Sequence, residues 1–235
     1  MVDMALVNSI PGFGPSHDFA NFYEKLVEMA PRGATIVETG CYNGRSLCHL
    51  GMVAREANKG LRIVGVDHCV DESAGMSGRV VKNLRERGLS VRYSGFLDVL
   101  RQLQNPEQDR PHADVDFYEM PSIEASLLFS DNSVWCVFLD DGHLHTEVES
   151  GIDFWAPKVA PDGWLAGHDA RMHSVWQPVK AKLENVIHDP LYNDCWRAPK
   201  QTPKTGVDIY KHVDLPNFGY GAGNFRNDGK PSGEW

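Results

Sequence analysis

No stretch of this chain approaches the ~20 consecutive apolar residues that carry a helix across a bilayer, and the opening residues MVDMALVNSIPGFG lack the cationic and apolar blocks of a secretion signal. Those absences predict a cytoplasmic protein with no membrane partner. Basic residues are outnumbered, 23 against 32 acidic ones, for a formal charge of −9. A broad phosphate-tracking surface is therefore not expected, which argues against nucleic acid as a partner. The five cysteines, Cys41, Cys48, Cys69, Cys136 and Cys195, include no Cys-x-x-Cys, and most lie among apolar neighbours, where a reduced thiol acts as a small hydrophobe. Neither disulfides nor a zinc site are expected. Internal repeats are also lacking. One hydrophobic core can serve a chain of this length, so 1–235 is read as a single domain: a helical cap over 1–33, a core over 34–213 and an irregular tail over 214–235.

What is present is an alternation of apolar runs, glycine turns and amphipathic segments. Residues 16–30 place Phe19, Tyr23, Leu26 and Val27 on one stripe and predict a helix that closes before Pro31. Residues 34–38 read as a first buried strand, 45–57 as a helix and 62–67 as a second strand, a βαβ unit of the kind that builds parallel sheets. Residues 69–95 read as an insertion beside the site, carrying a charged helix. For the third strand, 115–120 is preferred and 91–93 is the rival. Residues 96–103 look helical. The continuous apolar run 134–139 predicts a central strand, followed by a helix with Val148, Ile152, Phe154 and Trp155, a turn at Pro161 to Gly163, a strand over 164–168 and a helix over 174–186. Two further strand candidates, near Cys195 and Trp196 and at 207–210, are expected to form an antiparallel pair at the sheet edge.

The fold class that follows is α/β: a doubly wound, mostly parallel, seven-stranded sheet with an antiparallel strand pair at one edge. In such sheets ligands collect beyond the carboxyl ends of the parallel strands. The polar residues of this chain lie there, each just after an apolar run. Glu38, Gly40 and Gly44 occupy the first strand-to-helix turn, where glycines let the backbone approach a ligand closely. An acidic residue in that turn suits a cationic, hydroxyl-rich ligand such as S-adenosylmethionine better than a pyrophosphate. Asp67 ends the next strand and is placed to accept hydrogen bonds from ribose hydroxyls. Asp140 and His143 stand one helical turn apart after the central strand, and His168 and Asp169 follow the next one. A near-neutral imidazole at His143 suits removal of a proton from a hydroxyl. Asp141 reads as an exposed turn residue, and His145 and His173 as solvated. Trp135, Trp155 and Trp164 read as core. Phe19, Phe22, Tyr23 and Trp176 are compatible with an apolar lid, with plain packing the simpler reading for each.

The segments VETGCYNGRS (37–46), VDHC (66–69), MPSIEASLLF (120–129), VFLDDGHLHTEV (137–148) and PDGWLAGHD (161–169), taken in order, resemble the class I S-adenosylmethionine-dependent methyltransferases. Within that class the likeness is to the small-molecule O-methyltransferase branch that includes the macrolide-sugar and catechol enzymes, and it spans about 34–186. The resemblance implies that Glu38 and Gly40 hold the methionine part of the cofactor, that Tyr42 and Ser46 line that end and that Asp67 takes the ribose. It also implies that the Met120 to Ser122 turn borders the adenine. A helix-capping role for Ser122 stands beside that reading. The catechol-type branch further implies a divalent metal at Asp140, His168 and Asp169, with the base three residues after the first Asp, at His143. His168 departs from the pattern, because the relatives present a carboxylate there and imidazole suits zinc, iron or nickel better than magnesium. The implied acceptor is a hydroxyl on a small molecule, a sugar or a phenolic compound. A non-catalytic S-adenosylmethionine-binding module is the alternative, and a homo-oligomeric state is compatible with either.

Overall fold

The computed structural model describes residues 2–12, 17–68, 76–95, 97–98, 113–188 and 194–200, all within one compact unit, Met1–Pro203. In chain order the helices and strands are α1 (Met4–Asn8), α2 (His17–Met29), β1 (Thr35–Thr39), α3 (Arg45–Ala57), β2 (Arg62–Asp67), α4 (Met76–Glu86), β3 (Val91–Gly95) and β4 (Val115–Glu119). They continue with α5 (Ser122–Ser126), β5 (Val134–Leu139), α6 (His145–Trp155), β6 (Val159–Gly167), α7 (His173–Lys182), β7 (Ile187–His188) and β8 (Trp196–Pro199). The strands form one sheet in the order β3-β4-β2-β1-β5-β6-β8-β7. From β3 to β6 all neighbours run parallel, and β8 pairs antiparallel with both β6 and β7. Among the described residues no helix is long and apolar enough to cross a membrane.

The sheet is buried on both faces, which is why its central strands read as continuous apolar runs. Ile36, Ile63, Val115 and Phe138 point into a core shared with α2, α3 and α4. Val37, Val64, Val137 and Leu165 point into a second core shared with α6 and α7. Helix α3 begins at Gly44 (φ +82) and ends at Asn58 (φ +48), both left-handed. Such residues stop a helix cleanly, because glycine and asparagine tolerate that conformation better than other residues. Phe19, Phe22 and Tyr23 lie buried in the first core, with the Tyr23 ring 5.0 Å from that of Phe138 at an edge-on angle. All three rings are buried in this layer rather than forming a lid.

Four sequence expectations change. The sheet has eight strands and not seven, because 91–95 and 115–119 both pair, as parallel neighbours at one edge. The described part of the supposed insertion, residues 76–95, is a regular helix and strand of the fold, α4 and β3. The antiparallel edge is built by β8 with the two-residue β7, whereas the expected strand at 207–210 lies outside the described residues, as do most of the helix expected at 96–103 and all of the tail at 214–235. The Pro161 to Gly163 segment runs inside β6, close to where its register against β5 shifts.

One buried group in the α2–α3 layer gives a stability prediction. His49 is fully buried, its Nε2 is 3.9 Å from Glu24 Oε1, and neither ring nitrogen makes a hydrogen bond of good geometry; burial pushes its pKa down to about 4, against the raising effect of the Ala20 backbone. The folded state thus prefers the neutral ring, so this group's contribution is complete above the ordinary value of 6.5 and is lost as pH falls toward 4. The span corresponds to about 3 kcal/mol. His49→Leu is expected to remove that acid sensitivity and to raise stability at pH 7 by ~1 kcal/mol, since a buried imidazole without a well-formed hydrogen bond gives way to an apolar side chain. Urea unfolding at pH 7.5 and pH 5 checks both statements; an unchanged pH slope contradicts them.

Candidate active site

Four backbone hydrogen bonds stitch the carboxyl ends of the parallel strands into one row. The N–H of Met120 donates to the Asp67 carbonyl (3.0 Å), Gly40 to Val66 (2.9 Å), Asp140 to Thr39 (3.1 Å) and His168 to Leu139 (3.2 Å). Residues as far apart in sequence as Thr39 and Asp140 thereby become neighbours. The row is centred where β1 meets β5, the point from which the chain winds outward in both directions and the place where doubly wound sheets bind ligands.

On the β1 side lies a buried carboxylate with two donors. Glu38 is 0 % exposed; Ser46 Oγ donates to its Oε1 at 2.5 Å and Tyr23 Oη donates to its Oε2 at 2.9 Å. Burial lifts its pKa to about 7, against the lowering effect of the Ser46 and Tyr23 bonds and with the Asp67 charge adding to the rise. Gly40 (φ +77) turns the chain against Asp140, and a Cβ at this position would collide with the Asp140 carbonyl, so only glycine lets the end of β1 approach the end of β5 this closely. Tyr42 takes a left-handed conformation as a non-glycine residue (φ +51), and its N–H donates to Asp67 at 2.8 Å. Strain of this kind concentrates at functional sites. Asp67 ends β2, 9 % exposed.

Met120 is buried at the end of β4, beside Asp67. Ser122 is the first residue of α5. Its hydroxyl accepts from the Trp155 indole at 2.9 Å, while the cap position falls on Pro121 with no side-chain cap. Capping is therefore not what Ser122 does.

On the β5 side the polar residues form a chain. His143 Nε2 lies 2.7 Å from Asp169 Oδ2; His168 Nδ1 lies 3.3 Å from Asp169 Oδ1 and 3.7 Å from Asp140 Oδ1. Asp169, in a left-handed conformation (φ +57), sits between two imidazoles, which hold its carboxyl below the ordinary range despite partial burial. Burial alone would lower the His168 pKa, but the Asp169 hydrogen bond and the charges of Asp140 and Asp169 raise it to about 9. The Asp169 bond also raises His143. Asp140 is pushed well up, by burial first and by the nearby Asp169 and Glu38 charges, with His168 opposing.

For a metal, the expected trio of Asp140, His168 and Asp169 is regrouped. Ligand atoms of Asp140, His143 and Asp169 lie within 4.8 Å of one another, and so do those of His168, Asp169 and Asp194. Asp141 is exposed, as expected, and His145 pairs with Glu149 one turn along α6, at 3.6 Å.

Three contributors escaped sequence reading. Tyr23 reaches Glu38 from α2. Glu147 accepts the N–H groups of His143 and Leu144 at 3.2 and 3.1 Å and so shapes the turn that carries His143; an acidic residue in the first turn of a helix was the available signal. Asp194 accepts the Arg171 N–H at 2.6 Å and ties down the loop after Asp169, for which the sequence offers no signal.

A family model described as a methyltransferase domain matches residues 37–170, more than half of the chain. The chain belongs to that family, as an S-adenosylmethionine-dependent methyltransferase of class I. Among solved structures, a Corynebacterium glutamicum protein is similar at 13 % identity and a TM-score of 0.58, over 87 % of this chain and 93 % of that one. The Podospora anserina methyltransferase PaMTH1, bound to S-adenosylhomocysteine, is similar at 12 % identity and 0.56, over 86 % and 89 %. Cofactor-bound Rv0187 from MTB gives 12 % and 0.55, over 85 % and 88 %. At these identities the likeness concerns the fold. A search of curated protein sequences finds no match.

Proposed function

We propose that this methyltransferase acts on a hydroxyl of a small-molecule acceptor. The observation that carries the reading is the His143–Asp169 pair, with 2.7 Å between Nε2 and Oδ2, on the far side of Asp140 from the Glu38 cradle. A hydroxyl is a poor nucleophile until its proton is removed, and an imidazole held by a carboxylate is built for that removal.

The residues divide the work. Glu38 and Gly40 receive the aminoacyl end of the cofactor: the carboxylate is buried and its two donors fix its orientation, and the glycine lets the turn pack against the Asp140 backbone. Asp67 accepts from the ribose, and Met120 borders the base. When bound, the cofactor supplies an electrophilic methyl and a neutral thioether leaving group. His143 donates Nε2–H to Asp169, which leaves Nδ1 to take the acceptor proton as the oxygen–carbon bond forms and the carbon–sulfur bond breaks. The protein's remaining contribution is alignment and exclusion of water.

A second reading is favoured by the grouping of Asp140, His143 and Asp169. Two carboxylates and one imidazole fit a divalent ion that accepts both oxygen and nitrogen, manganese or zinc rather than magnesium. His143 would then be a ligand, and the chemistry supplied by such an ion would be a lowered pKa of the acceptor hydroxyl. The test is S-adenosylhomocysteine formation from S-adenosylmethionine with a panel of catechols and sugars, with chelator or with added Mn²⁺. Product formed in chelator is the expected outcome. Turnover that vanishes in chelator and returns with the ion favours the metal arrangement, and cofactor binding without turnover on any acceptor favours a binding module.

A further inference from the structure

We propose that Tyr23, on the helix preceding the sheet, is a positioning residue of the cofactor site that acts through Glu38. The inference rests on Glu38 holding the cofactor, as proposed above.

The geometry is specific. The Tyr23 ring is fully buried among Phe19, Phe22 and Phe138, which fixes its plane, and its hydroxyl is the polar group that α2 delivers to the first strand end, 2.9 Å from Glu38 Oε2. Ser46 from α3 supplies the donor on the other oxygen. Each carboxylate oxygen has two acceptor positions, so one donor apiece orients the group and leaves acceptor capacity for a ligand ammonium. Packing alone asks only for a phenyl ring at this position. A hydroxyl in an apolar layer costs energy unless it is hydrogen-bonded, and here its partner is the carboxylate of the cradle. The groups acting on Glu38 are Tyr23 from α2, Ser46 from α3, Asp67 from β2 and Asp140 beyond β5. Tyr23 and Ser46 favour the ionised carboxylate, and the two aspartates oppose it.

A donor of this kind stabilises the ionised form in both the free and the bound protein. Its removal therefore weakens binding only where the free protein holds Glu38 protonated. For Tyr23→Phe, a loss equivalent to one pKa step raises the dissociation constant of S-adenosylhomocysteine about tenfold at pH 6 and less than about twofold at pH 9. The ligand's own titration cancels in the ratio of variant to wild type. A purely structural defect has no such dependence.

The experiment is calorimetric titration of S-adenosylhomocysteine into wild type, Tyr23→Phe and Phe22→Leu between pH 6 and pH 9. Phe22→Leu perturbs the same aromatic layer without touching a donor. Tyr23→Phe keeps the ring, and circular dichroism with thermal unfolding verifies its fold. The expected result is a ratio that falls with pH for Tyr23→Phe and stays flat for Phe22→Leu. A flat ratio for Tyr23→Phe, whether near one or uniformly raised, overturns the proposal while the cofactor assignment stands. Absence of binding by wild type at every pH overturns both.

Discussion

Turnover by His143→Ala is expected to fall about 10³-fold, with the dissociation constant for S-adenosylhomocysteine nearly unchanged. His143 stands on the β5 side of the row, its Nε2 committed to Asp169 and its N–H to Glu147. None of its bonds reaches Glu38, Asp67 or Met120. Under the proposed roles, truncation removes the proton acceptor and leaves the Glu38 side untouched, so the loss appears in kcat. The side chain is about half exposed, and the space it vacates is open to small solutes. Under the base reading, imidazole added to the buffer restores part of the activity of the alanine variant. Equal losses of turnover and cofactor affinity would contradict the role assigned to this residue.

Glu38→Gln has the opposite signature, with cofactor affinity at pH 8 expected to fall about 10- to 100-fold, the range of a hydrogen bond to a charged group. The shape of the side chain is kept and its charge is lost. Stability moves the other way. The folded protein holds the Glu38 proton up to about pH 7, against an ordinary value of 4.5. The folded state therefore binds that proton more tightly than the unfolded chain, and stability falls as pH rises from 4.5 through about 7. For a fully buried carboxyl, that interval amounts to ~3 kcal/mol. Glutamine cannot ionise, so the slope from this group disappears and the variant is more stable than wild type at pH 8. Binding by the wild type at pH 6 has to ionise Glu38 and is expected to release a proton, which calorimetry in two buffers of different ionisation enthalpy detects. The variant releases none from this position. Affinity unaffected by the substitution would reduce Glu38 to a buried structural acid.

The opposing costs of these two side chains have a common origin. Under the proposed roles, Glu38 is held away from water so that a ligand cation replaces the lost hydration, whereas His143 stays in contact with solvent and with Asp169 so that it exchanges protons. On that proposal, stability is sacrificed at Glu38 for the sake of binding, a conflict expected where a fold carries a functional site.

Much of the core was legible because local signals agreed with one another. The helix at 45–57 and the strand at 62–67 are found at the expected residues, since a glycine turn, an apolar stripe and a left-handed asparagine all mark the same boundaries. The edge was harder to read. In β3 only Ser94 is buried, so the strand lacks the continuous apolar run of its neighbours and resembled a rival rather than a companion to β4. Residues Ile187 and His188 carry no strand pattern at all; they pair because β8 lies beside them. Ser122 looked like a helix cap, but its hydroxyl is taken by Trp155 from another element.

By itself the sequence determined the alternation of strands and helices, the doubly wound parallel arrangement and the placing of Glu38, Asp67, Asp140, His143 and Asp169 after apolar runs, because burial period and turn chemistry are local properties. Only the tertiary structure decided which of those groups touch. The Tyr23 hydroxyl meets Glu38 across 15 positions, and Asp169 takes His143 and His168 as partners while Asp194 secures the loop behind it. Such contacts are set by how whole layers pack against the sheet. Hydrogen bonds act over about 3 Å, a distance that no spacing in the sequence encodes.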